Sequence, residues 1–259
     1  MAEVRDRVLV LRHRPYREHD ALLVGFGRTQ GKFSAVARGV RSSRSHLAAG
    51  VQALTLTDMT VYRGRSSLYT IAAADAVRHY PRIRENLERT ARAAMLADML
   101  DELWSEHDAA PDAFSLVVEA FSALDEGRPA PAVFLAAFWQ IMRQAGFALD
   151  LSRCSACGAA LDEDPQPGFR AASGPVCGRC RIPGDEELPS ASRAWLRRAE
   201  TLSPDRLGTV LGSRALMEAL ERQAKHYILY HLGRMPRAFR FWEQVSGPLA
   251  DAGPEEGDR

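Results

Sequence analysis

The chain has 259 residues, 46% of them hydrophobic and 26% charged, with a net charge of +1. That balance belongs to a globular protein with material for a real core. It excludes a membrane span, since no apolar run approaches the ~18 residues required. The opening MAEVRDRVLVLRHR breaks its short apolar run with charges, unlike a secretory leader, so a cytoplasmic protein is expected. The small net charge hides a division: residues 1–80 hold 13 basic and 6 acidic residues, 81–150 hold 6 and 12, and 151–259 hold 15 of each. A basic first part beside an acidic middle points to a polyanion on the former and a protein or internal contact on the latter.

In chain order, the first 78 residues read as five short strands: Val4–Leu11, Ala21–Phe26, Lys32–Arg38, Ala53–Tyr62 and Leu68–Ala74, with RGRSS (63–67) as the last turn. Five short strands suit a small closed barrel, which leaves no open sheet edge. The stretch GFGRTQGKF (25–33) imitates two phosphate-binding motifs and satisfies neither. A P-loop would need glycine at Phe26 and a hydroxyl at Phe33, and the dinucleotide fingerprint would need glycine at Gln30. The glycines read as a tight turn between strands, with positive φ.

Two basic segments flank these strands. RHRPYR (12–17) sets Arg12, Arg14 and Arg17 around Tyr16, an aromatic able to stack on a base. ARGVRSSRSHL (37–47) carries Arg38, Arg41 and Arg44 among serines and a glycine. Guanidinium groups donate to phosphate oxygens in pairs, and small residues let the backbone come close. Lys32, on the third strand, joins this set. The barrel and its basic loops together predict nucleic-acid binding. Such a surface does not declare its sugar, so DNA and RNA both stand on this evidence.

From Pro81 the hydrophobic period changes to that of helices. ENLERTARAAMLADMLDELW (85–104) repeats its apolar residues every three or four positions, and PAVFLAAFWQIMRQAG (131–146) does so between Pro131 and a stopping Gly146. SRALMEALERQAKHYILYHLG (213–233) runs from Ser213 as N-cap to Gly233. These stripes predict a helical bundle rather than a cofactor site. From the end of the third helix onward, Lys225, Arg234, Arg237 and Arg240 interleave with Tyr227, Phe239, Phe241 and Trp242. Positive charge on apolar surface suits a short acidic peptide with a hydrophobic end, although the same aromatics would equally close the bundle. The final GPLADAGPEEGDR (247–259) is too polar and too rich in glycine and proline to pack and is expected to be disordered.

All four cysteines lie between residues 154 and 180. Cys154 and Cys157 form one CxxC pair, and Cys177 and Cys180 form a second after 19 intervening residues. This is the spacing of a structural zinc site, in which two knuckles, each helped here by a glycine (158 and 178), complete a tetrahedron of thiolates. Two disulfides or a redox pair fit less well, the first because of the reducing compartment and the second because the motif is duplicated. Four thiolates leave no open coordination position, so the expected role is structural. Sequence motifs for hydrolases are missing: there is no HExxH and no GxSxG, the seven histidines are scattered, and the acidic DED (162–164) and DEE (185–187) groups read as solvated loop residues. The expectation is a protein without catalytic activity.

Taken together, RPYREHDALLVGF, GKFSAVARGVRSSRSHL, the helical middle, FWQIMRQAGFALDLSRC leading into the first knuckle, and CGRC resemble the bacterial DNA repair protein RecO family over nearly the whole chain. The resemblance implies an α+β multi-domain architecture: an N-terminal OB-fold β-barrel (1–78), an α-helical bundle domain (79–150 with 185–246) and a zinc-ribbon-like insertion (151–184) whose four cysteines hold one structural Zn2+. It further implies binding to single- and double-stranded DNA and annealing of complementary strands. Action with RecR, and in many bacteria RecF, to load RecA on DNA coated by single-strand-binding protein (SSB) is implied as well. The family's basic barrel loop maps onto Arg38, Arg41 and Arg44, and its first-hairpin bases onto Arg14 and Arg17. Gly27 stands where the family often has threonine, and the loop lacks the usual lysines, while all four cysteines are kept.

Overall fold

The structure is a computed structural model that describes residues 3–42, 45–63 and 68–246. Arg44, most of the RGRSS turn and the 247–259 tail lie outside them. Strands β1 (Glu3–Tyr16), β2 (Asp20–Gly27), β3 (Gly31–Ala37), β4 (Leu56–Arg63) and β5 (Tyr69–Arg78) close into a barrel in the order β1-β2-β3-β5-β4. All neighbours are antiparallel except β3 and β5, which pair in parallel at Ala35↔Tyr69 and Val36↔Thr70.

The run VLVL in β1 explains how the barrel is placed. Val8 and Val10 fill the barrel with Leu23, Phe33, Met59 and Ile71, whereas Leu9 and Leu11 face outward into the helical core. A strand buried on both faces reads as continuous apolar sequence. Phe26 follows Leu9 into that second core, meeting Trp104 edge to face at 6.0 Å. β1 also runs five residues beyond the expected Leu11, bulging between Val10 and Arg12, and thereby carries Arg14 and Tyr16 to the end of the barrel. β4 starts later than expected because Leu54 turns the chain at φ 61.

The glycine stretch resolves into two uses. Only Gly31 has positive φ (65), and a Cβ there would lie 2.1 Å from the Asp108 carbonyl oxygen. Gly25 and Gly27 are strand residues instead; a Cβ on Gly25 would press on Val8 Cγ1 at 2.8 Å. The turn is therefore a contact point with the helical part, and His107 N–H donates to the Lys32 carbonyl at 2.8 Å beside it.

The helices are α1 (Pro81–Arg84), α2 (Leu87–Leu103), α3 (Pro111–Asp125), α4 (Ala130–Gln144), α5 (Ser190–Glu200), α6 (Arg214–Leu232) and α7 (Arg237–Ser246). Ser213 caps α6 by accepting from Leu216 N–H, and Gly233 ends it at φ 67. Asn86 caps α2 in the same way through Arg89 N–H. Helix α4 is buried on nearly every side and forms the bundle axis, with α2, α3, α5 and α6 around it. The insertion between α4 and α5 is a small sheet of β6 (Gly168–Arg170), β7 (Gly174–Val176) and β8 (Glu186–Glu187). Phe169 pins it to the bundle by packing against Trp139 and Tyr227, at 5.9 and 5.8 Å between ring centres. No helix among the described residues is long and apolar enough to cross a membrane.

Candidate functional sites

Two loops meet at one end of the barrel. The turn from β1 to β2 and the segment after β3 are joined by Arg41 N–H donating to the His19 carbonyl (3.0 Å), by Gly39 N–H donating to Asp20 Oδ1 (2.9 Å), and by Arg41 Nη1 donating to the Glu18 carbonyl (3.1 Å). Gly39 takes φ 61 to make the bend. Arg14, Arg17 and Arg38 are exposed on this paired structure, and none has an ion-pair partner among the described residues. Tyr16 is exposed beside them with the Arg17 guanidinium 5.2 Å from its ring centre. The arrangement offers unneutralised guanidinium groups next to an accessible aromatic face, the combination that holds a phosphodiester chain with stacked bases. Arg41 is different from its neighbours, because part of its guanidinium already fastens one loop to the other.

Arg12 and Lys32 stand apart from this group. Arg12 Nη2 lies 2.8 Å from Asp101, 3.4 Å from Asp98 and 3.6 Å from Glu102 of α2. Lys32 donates to the Asp101 main-chain carbonyl and lies 3.5 Å from its carboxylate, its side chain only 16% exposed. Both cations are engaged in fastening the barrel to α2. Hydrophobic periodicity carries no sign of this, since the partners are some 70 to 90 positions away in the chain.

The four cysteines come together. Their Sγ atoms all lie within 4.8 Å of one another, with Cys157 and Cys177 at 3.8 Å. A tetrahedron with Zn–S distances of ~2.3 Å has S···S edges of about 3.8 Å, so the donor set fits zinc. Each knuckle is built by its own backbone: Gly158 N–H donates to the Cys154 carbonyl at 2.8 Å, and Cys180 and Arg181 N–H both donate to the Cys177 carbonyl. Gly158 needs its positive φ of 73. Gly178 does not; its N–H donates to Asp164 Oδ2 at 3.0 Å.

Burial pushes the Cys154 thiol up, but hydrogen bonds from the Cys177, Ala156 and Cys157 main chain outweigh it and bring it down to about 6. Sulfur contacts from Cys157 and Cys177, with burial, push Cys180 up to about 12. Cys154 is thus the thiol most ready to bind as a thiolate, and Cys180 needs a cation beside it to do so. Asp185, expected in solvent, is instead buried against Arg170 at 2.7 Å. Burial would raise its carboxyl, yet the Arg170 bonds and the Ile182 N–H hold it below the usual range.

A third feature lies between α2, α6 and α7. A groove of about 300 Å³ has Met95, Phe134, Phe239 and Trp242 as apolar lining. Arg92 lies at its base, buried between two rings, 5.1 Å from Phe134 and 4.8 Å from Trp242. It pairs with Glu221 and, at 3.6 Å, with Glu88, while its Nε and Nη1 have no hydrogen-bond partner. Burial raises the Glu221 carboxyl despite Arg92. Of the cations expected here, Lys225 pairs with Glu243 and Arg234 with Glu102. Arg237 and Arg240 are exposed with no ion-pair partner among the described residues. Trp242 is half-buried and forms part of the wall. Of the cations expected to share this surface, only Lys225 lines the groove, with Phe239 and Trp242; Arg234, Arg237 and Arg240 are not part of its lining.

Comparison with known proteins matches residues 1–80 to the family model "Recombination protein O N terminal" and residues 84–238 to "Recombination protein O C terminal". The chain is 32% identical over 252 residues to the DNA repair protein RecO of Anaeromyxobacter dehalogenans strain 2CP-C, covering 94% of this chain and 98% of that one. It is 33% identical over 255 residues to the DNA repair protein RecO of Heliobacterium modesticaldum, covering 95% and 92%. The corresponding protein of Rubrobacter xylanophilus is 31% identical over 234 residues, covering 89% and 93%. With an OB-fold barrel at its head, a four-cysteine cluster in its insertion and family models matching both halves, the chain belongs to the RecO family of DNA repair and recombination proteins.

Proposed function

We propose that this protein is a recombination mediator without catalytic activity. In this reading it binds single- and double-stranded DNA at the loop end of the barrel and anneals complementary strands. With RecR, and in some settings RecF, it loads RecA on DNA coated by SSB in the bacterial cytoplasm, at the nucleoid. The observation that carries the proposal is the pairing of the two barrel loops through Arg41, which leaves Arg14, Arg17 and Arg38 exposed beside Tyr16. Arg44, on the same segment, is assigned to this surface from the sequence alone. Arg12 and Lys32 are assigned to the junction with α2 instead.

Residues 1–78 form the DNA-binding unit in this proposal. Residues 79–150 with 185–246 supply the protein-binding unit, and 151–184 are an insertion stapled by one structural Zn2+ on Cys154, Cys157, Cys177 and Cys180. The ion supplies four metal–thiolate bonds and no open position, so its contribution is folding of the insertion. The groove walled by Trp242, with the exposed Arg237 and Arg240 on the helix that carries Trp242, takes the acidic, apolar-ended tail of SSB. Annealing of complementary strands, naked and SSB-coated, tests the reading: the protein should accelerate both. Competition between DNA and RNA oligomers of one sequence separates a DNA mediator from an RNA-binding protein of the same fold. Nuclease activity with added Mg2+ would overturn the non-catalytic assignment.

A further inference from the structure

The groove has a second candidate occupant within the chain itself. Ser246, the last described residue of α7, lines the groove beside Trp242 and Glu243, so the rest of the chain leaves from its rim. That segment reads GPLADAGPEEGDR, with Asp251, Glu255, Glu256 and Asp258 against the single base Arg259, and with Leu249 three positions past Ser246. Pro248 lacks the N–H that would extend α7. Thirteen residues reach at most about 45 Å, enough to fold back over the groove and along α7. The apolar lining of Met95, Phe134, Phe239 and Trp242 offers a seat for Leu249. Glu218, Glu221 and Glu243 also line the groove but are paired with Arg214, Arg92 and Lys225. Arg222, in the same lining and with Glu186 at 3.9 Å as its ion-pair partner, and the exposed Arg237 and Arg240 of α7 offer cations to the four acids.

We propose that residues 247–259 are an intramolecular ligand of this groove and compete with the partner peptide for it. The proposal deepens the reading of the groove as a peptide site and rests on it. Tethering gives the segment an effective concentration on the order of 1 mM. An intrinsic dissociation constant of about 0.5 mM would then keep the groove covered about two-thirds of the time and weaken an outside peptide about threefold. Such a segment sets a threshold: it turns away weak or isolated acidic peptides and yields to tails presented many at a time on a coated strand.

The primary test needs no partner. A fluorescein-labelled synthetic peptide of residues 247–259 is titrated, at low salt, into the chain ended after Ser246 and into its Trp242→Ala and Arg222→Glu variants. Saturable millimolar or tighter binding to the former, weakened severalfold in both variants, is expected, and no binding would overturn the proposal. Loss in Trp242→Ala alone would leave Leu249 as the anchor and overturn the charge contribution. The second measurement uses a labelled peptide of acidic residues ending in Leu-Phe. Its affinity should rise about threefold on removing 247–259, and equally in the full chain carrying Leu249→Ser with Glu255→Lys and Glu256→Lys. If it binds at the groove with unchanged affinity, the competition is wrong and the peptide site stands. If it binds neither chain while the 247–259 peptide does, the partner assignment fails and the segment is the groove's own ligand.

Discussion

Arg12 on β1 and Asp101 on α2 are held 2.8 Å apart across 89 positions of sequence, with Asp98 and Glu102 on either side of the same guanidinium. On the α7 side, Asp98 accepts the Ala238 N–H at 2.7 Å and Glu102 pairs with Arg234. Three carboxylates of one helix thus fasten the barrel on one flank and α7 on the other. Arg12→Ala leaves Asp98 and Asp101 partly buried with less compensation, and should cost about 1–3 kcal/mol in denaturant unfolding. Because Arg12 is already neutralised, the salt dependence of DNA binding should stay as it is.

Changing Arg14, Arg17 and Arg38 together to alanine should weaken single-stranded DNA binding for every sequence. The slope of log affinity against log salt should flatten by about 0.7 for each phosphate no longer engaged, roughly 2 in all. Lys32→Ala is the matched control: it removes one positive charge from the same barrel, and its slope should not change. A flattened slope in Lys32→Ala and an unchanged one in the triple variant would move the DNA path to another face.

The cysteine cluster predicts about one zinc per chain by elemental analysis of freshly reduced protein. Cys177→Ser should release it and unfold the insertion, raising amide exchange at β6 and β7 while β1–β4 pairing in the barrel is kept. The Phe169 anchor to Trp139 and Tyr227 should loosen too, which Trp139 emission would report.

Reversing charge at Arg237 and Arg240 should abolish annealing of SSB-coated strands and spare annealing of naked DNA. Arg234 and Lys225 already have carboxylate partners. Their reversal should instead lower stability by introducing like-charge contacts with Glu102 and Glu243.

His231 carries a pH dependence. Its ring lies 4.3 Å from Tyr227 and 4.6 Å from Phe147, its Nε2 is buried without a partner, and burial lowers its affinity for a proton. A folded state that prefers the neutral ring is favoured above the ordinary value of 6.5 and loses that advantage as pH falls through the lowered one. His231→Phe should therefore lose less stability between pH 7 and 5 than the parent chain in thermal melts. An unchanged acid limb would place the proton uptake elsewhere.

The parts legible in sequence are those whose physics is local. The knuckles at Cys154 and Cys177, the cap at Ser213 and the strand alternation around Phe33 each depend on residues a few positions apart, and each forms as read. The roles of Arg12 and Lys32 depend on Asp98, Asp101 and Glu102, and the barrel's own pattern holds no trace of them. Asp185 reads as solvated in the sequence because its partner, Arg170, lies 15 positions away in β6. Helix α7 does carry a stripe in its sequence, at Ala238, Phe239, Trp242 and Val245, but the Phe134 ring and Arg92 guanidinium it packs against lie over a hundred positions away.

The seam between β3 and β5 is the narrowest in the barrel, two paired positions among the described residues, while β1 and β4 share seven. A parallel pairing between distant segments forms slowly, because the loop must close before any contact rewards it. The cylinder should thus assemble from β1, β2, β3 and β4 and shut last at Ala35–Tyr69. The same two rungs should be the first to exchange their amide protons when the native protein breathes. A wall that opens beside β3 and the Arg38 loop would let the barrel widen without unfolding, which would give the end that carries Arg38 a mechanical compliance.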